Sequence, residues 1–123
     1  MAVNEKQTGI GSFTAAVGGK QFLVSDRVSF DRATNDYFIS ASKTNANRLS
    51  FSVPNSLKGE GPHPVDLYTS GLEWNVVIDD VPNPVVKGST TVTFDEYRES
   101  VVGSINFFLK DGREVTGVFN IKN

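Results

Sequence analysis

Along most of the chain apolar and polar residues alternate one by one, the spacing that puts successive side chains on opposite faces of a β-strand. Phe13, Ala15 and Val17 alternate with Ser12, Thr14 and Ala16, and Gly18-Gly19 supplies a turn before 21–25. Val28 and Phe30 share one face of 27–31, and 33–36 is a polar turn. Strands over 37–43 and 48–53 flank TNAN, a hairpin connection, and in the second Leu49, Phe51 and Val53 alternate with Ser50 and Ser52. The stretch PNSLKGEGPHP, from Pro54 to Pro64, holds too much Pro and Gly for regular structure. The extended pattern resumes over 65–69 and 72–78, the latter with Leu72, Trp74, Val76 and Ile78 on one face. Pro82 and Pro84 cannot donate to a ladder, so DDVPNPVVKG reads as an edge or an irregular crossing. Thr90–Phe94 is a strand by its β-branched content, and DEYRES is the turn after it, with Asp95 as its cap.

The closing stretch, GSINFFLKDGREVTGVFNI, fixes its own register. A two-residue loop of Asp111-Gly112 sets Phe107 against Thr116 and Leu109 against Glu114, mixing core with solvent. A loop of Lys110-Asp111-Gly112 fits a type I turn followed by a left-handed glycine. Phe107 then faces Val115, Ile105 faces Gly117 and Gly103 faces Phe119. One face collects Ile105, Phe107, Leu109, Val115, Phe119 and Ile121; the other is polar, with Phe108 and Val118 as apolar exceptions. Because a slip by one residue turns every side chain over, burial selects the second register. Each glycine lies across from a large side chain where the sheet bends around its core. No stretch of twelve residues has a helical period. The chain is therefore expected to be all-β, a single-domain antiparallel β-sandwich or flattened β-barrel of about 8–10 short strands. Residues 1–10 are an N-terminal tail and 11–123 the domain.

Composition narrows the chemistry more than it defines it. A chain of 123 residues buries about two-thirds of its unfolded surface and needs no covalent staples. It has no cysteine, which rules out disulfides, thiolate metal sites and a cysteine nucleophile. Lys and Arg number 12 against 14 Asp and Glu, so no basic field draws in nucleic acid. No apolar run approaches the roughly 20 residues of a membrane helix. The start, MAVNEKQTGIGSF, lacks the parts of a secretion signal, which predicts a cytosolic protein or export without a cleaved leader.

The reactive residue types have plainer readings beside them. His63, the one histidine, lies between Pro62 and Pro64, with no GxSxG-type nucleophile motif to serve. Asp79-Asp80 and the group Asp95, Glu96 and Glu99 match neither calcium-loop spacing nor a facing pair of catalytic carboxylates, and read as turn and surface acids. Trp74 shares its face with apolar neighbours and reads as core, although Trp74, Tyr68 and Tyr37 are also the rings a partner would use. Phe108, on a polar face, marks a partner contact or lies under the Pro54–Pro64 loop. His63, Tyr68, Trp74 and Phe108 are the candidate interaction surface. No catalytic, metal-binding or cofactor-binding residue is expected.

The segments GSFTAAVGGKQF and TVTFDEYRESVVGSINFFLKDGREVTGVFNI carry a resemblance. Gly11, Phe13, Val17, Gly19 and Lys20 are similar to a "GxFxAxVxGK" start, and Gly103, Phe107, Asp111, Gly112, Val115, Gly117 and Phe119 to a "GxhxF…DGxxVxxGxF" closing hairpin, with one residue fewer here between Val115 and Gly117. The chain so resembles a family of small uncharacterised bacterial β-domains, many of them secreted or lipid-anchored. The resemblance implies a fold and, for a trimmed chain, an envelope or secreted location, and it brings no catalytic residues. The expectation is a non-catalytic module that binds another protein or a cell-surface component, with a homodimer through a sheet edge as one form. The alternative is a small carrier with an apolar ligand inside a lipocalin-like barrel, its room left by Ala15, Ser40, Ser42, Gly103 and Gly117.

Overall fold

A computed structural model of the chain describes residues 9–44, 46–67 and 74–123, and among them it has strands and no helix. The first half holds β1 (Ile10–Val17), β2 (Lys20–Ser25), β3 (Val28–Arg32), β4 (Asp36–Thr44) and β5 (Asn47–Pro54). The second holds β6 (His63–Asp66), β7 (Asn75–Ile78), β8 (Val81–Phe94), β9 (Ser100–Leu109) and β10 (Glu114–Lys122). Ile10, expected in the tail, already pairs with Lys122, so the sheet begins one residue sooner. The expected strand over 65–69 instead starts at His63 and ends at Asp66; the part of that segment from 68 on, Tyr68 included, lies outside the described residues, as does Leu72.

All ten strands join in one antiparallel sheet, nearly closed into a barrel. The order is β2-β1-β10-β9-β8-β7-β5-β4-β3, with β6 beside β8. The sheet's two ends are consecutive in the chain. β2 pairs with β1, the backbone turns at Asp26-Arg27, and β3 pairs with β4. Ser25 Oγ donates to Ser42 O, Ser42 N to Arg27 O, and Asn123 Nδ2 to Phe30 O, so these ends are stitched to other strands. Bulges at Ala15/Ala16, Ser42/Thr44 and Val85/Lys87 bend the long strands around the core.

The closing hairpin has the register that burial demands. Val115 pairs with Phe107, Gly117 with Ile105 and Phe119 with Gly103. The loop is Lys110-Asp111-Gly112, with Gly112 N donating to Leu109 O at 2.9 Å and Gly112 at φ 93°. Phe119 lies over Gly103, as expected, but the neighbour that crowds Gly117 is β1: a Cβ there meets Thr14 O at 2.7 Å.

Of the two readings of DDVPNPVVKG, the structure has the edge and not the irregular crossing. Asp79 and Asp80, at φ 51° and 69°, form a type I′ turn that joins β7 to β8 with Ile78 opposite Val81. In a two-residue hairpin that flanking pair exchanges hydrogen bonds and the next pair does not. Pro82 (opposite Val77) and Pro84 (opposite Asn75) therefore take the positions whose nitrogens point away from β7. On their other side β9 starts only at Leu109, opposite Val85. No ladder bond is asked of either proline.

β6 and β7 lie on the same side of β8, against 89–92 and 81–84, like one strand interrupted in the middle. β5 pairs with β7 over Arg48–Ser50 only, which leaves its later carbonyls to find other donors. Trp74 fills that gap. Its ring is buried at 3 % exposure and its Nε1 donates to Ser52 O at 3.1 Å. Around it, Phe51 meets Trp74, Phe107, Phe119 and Phe13 at ring separations of 5.6–6.3 Å, edge-on in each case.

Candidate interaction surface

The residues picked out from sequence do not gather at one place. Trp74 is a core residue, because the gap beside β5 needs an indole N–H, so it offers no surface. His63 opens β6 on the inward side. Its ring centroid is 5.9 Å from that of Phe94, and its Nε2 bonds to Gly59 O at 3.0 Å. Phe108 stands half-buried on the outer face near the opposite end of β9, under the Lys87 ammonium at 5.4 Å. The 54–62 loop does not cover it, because that loop bonds to Asn35, Phe94 and Arg98 at the far end of the barrel. A solvent-open groove of about 490 Å³ runs beside Phe108, past Asp66, Leu67 and Val86.

At the barrel end closed by that loop sits Arg98, a residue whose importance sequence alone hides. Its guanidinium carbon is 4.3 Å from the Phe94 ring centroid and 5.8 Å from that of Tyr37. Its Nη2 donates to Leu57 O and Gly59 O at 2.6 and 3.1 Å, and its buried Nη1 has no protein partner. The backbone at Arg98 is left-handed, φ 59°, to close the β8–β9 turn. Arg98 is thus a stopper that ties loop to barrel. Arg98→Ala is expected to cost about 2 kcal/mol, from two charge-assisted bonds and the ring contacts less the relief of the unpartnered nitrogen. Urea unfolding followed by Trp74 fluorescence measures it; no loss assigns the stopper no weight.

The acidic residues serve turns. Asp95 accepts from Ser100 N and Glu99 N at 2.8 and 2.7 Å, which holds its carboxyl below the ordinary range. A carboxyl with a lowered folded-state pKa stabilises the fold above its unfolded pKa of about 4, and that stability is lost as pH falls through the folded value. Asp95→Asn is expected to flatten the acid limb of the stability–pH curve. An unchanged limb in acid titration counts against the cap. Among the described residues no three His, Asp or Glu side chains are placed to share a metal ion.

The broadest feature is the outer face of β2-β1-β10-β9-β8-β6. One cross-strand row reads Val24, Thr14, Val118, Ser104, Thr91, Pro64. The row on one side runs from Ser12 through Asn120 and Val102 to Thr93, and the other from Ala16 through Thr116 and Asn106 to Ser89. On β1, β10, β9 and β8 none of these side chains is ionisable; the row through Ser89 runs on to Asp66 of β6, and Glu114, Lys87 and Lys122 border the field. Val24, Val102 and Val118 are 51, 40 and 62 % exposed. Of this field, sequence shows the alternation and Val118 as an exception; it does not show which strands lie side by side.

Of the small residues expected to leave room inside, Ala15, Gly103 and Gly117 face inward but Ser40 and Ser42 line the outside of β4. The fold and this surface define a small all-β, barrel-like domain. Searches against protein-family models, curated proteins and solved structures find no match for the chain.

Proposed function

We propose that the protein is a non-catalytic interaction module that docks a protein partner on the uncharged outer face of β1-β10-β9-β8. The observation that carries this reading is the run of three adjoining rows without an ionisable side chain, on a chain in which 21 % of residues are charged. Burying charge against a partner carries a large desolvation cost, and a field of Thr, Ser, Asn and Val avoids it while still offering hydrogen bonds. The aromatic rings packed against one another in the interior support binding outside the barrel and not within it.

A photo-crosslinking residue placed at Ser104, in the cells that make the protein, identifies the partner. Calorimetry with that purified partner is then expected to show at least roughly tenfold weaker binding for Thr116→Lys and little change for Val86→Lys, which lies outside the field. Equal crosslinking from Ser104 and Val86, or binding indifferent to Thr116→Lys, overturns the reading.

A further inference from the structure

We infer that Asp111-Gly112, at the tip of the closing hairpin, is this chain's site of spontaneous isoaspartate formation, and that Arg113, through its grip on the carboxylate, holds the reaction back. The chemistry belongs to the pair. The Gly112 nitrogen attacks Cγ of Asp111, a water molecule leaves, and a five-membered succinimide ring forms. Water then reopens the ring at either carbonyl. One opening restores aspartate; the other gives isoaspartate, whose main chain runs through Cβ and Cγ, with no net gain or loss of atoms. Glycine favours the closure because it has no side chain to obstruct the ring. Asp111-Gly112 is the one Asp-Gly pair in the sequence, no asparagine precedes a glycine, and both residues are exposed.

The contacts at the tip all oppose that closure. Asp111 Oδ1 accepts from Arg113 N at 3.0 Å and Oδ2 from Arg113 Nε at 2.9 Å, so the carboxyl group is not free to turn onto the Gly112 nitrogen. That nitrogen is engaged as well, donating to Leu109 O at 2.9 Å. Arg113 is steadied from β8, where Asn83 Oδ1 accepts from its Nη2 at 3.2 Å. The same bonds from Arg113 hold the Asp111 carboxyl below the ordinary carboxylate range, and a carboxylate is a poorer electrophile than the acid. The other charged groups around the tip are Lys110 and Glu114 on the hairpin, and Lys20 and Asp79 in the groove beside Arg113.

Incubation of the folded protein for weeks at body temperature, followed by peptide mapping with electron-transfer fragmentation to tell the two isomers apart, tests this. Wild type is expected to accumulate isoaspartate at 111 several-fold more slowly than a free peptide of residues 106–118. Arg113→Gln is expected to be several-fold faster than wild type, with Arg113→Lys between them, and Asp111→Glu, whose longer side chain closes a six-membered ring reluctantly, to form none. The rate falls as rising pH removes the acid form of the carboxyl. In wild type that fall is expected at lower pH than in Arg113→Gln, because Arg113 favours the carboxylate. Mere loosening of the turn speeds the reaction at every pH alike, so the displacement of the profile isolates the grip of Arg113; melting curves confirm that the variants are folded. An Arg113→Gln variant that reacts at the wild-type rate, one that is faster with an undisplaced profile, a peptide no faster than the folded protein, or isoaspartate forming sooner at another position in Arg113→Gln overturns the inference.

Discussion

Replacing Gly103 by alanine is expected to destabilise the fold by about 3–4 kcal/mol, well beyond the cost at Gly112 in the closing loop. A Cβ on Gly103 would overlap the carbonyl oxygen of Thr91 on β8 and come within 2.9 Å of Phe119 Cζ. The Phe119 ring has some freedom to tilt. The Thr91 backbone has little, because β8 is held there between β9 and β6. The methyl group therefore pushes two strands apart in the middle of the sheet. Gly112→Ala is the contrast. Its Cβ meets nothing within 4 Å, and the cost is only the left-handed backbone, about 1 kcal/mol. Parallel denaturant titrations of the two variants separate crowding from conformation. Losses of similar size would show that the approach of β8 to β9 is not what requires glycine at 103.

The second large effect is expected from Phe51→Ala, at about 3–5 kcal/mol. Phe51 is fully buried at the meeting point of Phe13, Trp74, Phe107 and Phe119, rings contributed by β1, the residue before β7, β9 and β10. Removing the ring leaves a cavity that rings seated on several strands cannot all move to fill. Against a total stability of about 5–15 kcal/mol, that loss takes much of the margin. Trp74 emission reports it directly, since its ring is 5.9 Å from Phe51. Phe108→Ala, on the outer face, is expected to cost about 1 kcal/mol or less. A comparable loss from the two would mean that the core is not centred on Phe51.

Alternation made the inward set legible wherever a strand is regular. Phe13, Val28, Phe51, Ile105, Phe107 and Phe119 face the core as their spacing requires. The two prolines were legible as well: Pro82 and Pro84 lie where β8 has no β9 partner, the edge that their missing donors ask for. Trp74 reads as core from its alternation and is buried there; what spacing does not show is that its indole N–H serves Ser52 O. Arg98 left no trace at all. Its partners, Leu57 and Gly59, are 41 and 39 residues away, and nothing in DEYRES distinguishes a solvated arginine from a stopper.

The order of residues by itself settled which face of each strand turns inward, where the tight turns fall, and the pairing of the last two strands, because a period of two and a short loop are local properties. Tertiary structure alone decided which strands became neighbours and how the sheet curls back to nearly meet itself. Rows such as Val24 to Pro64 exist only across strands, so their lack of charge is invisible along the chain. Alternation tells a side chain whether it faces water; only the closed sheet tells it beside whom.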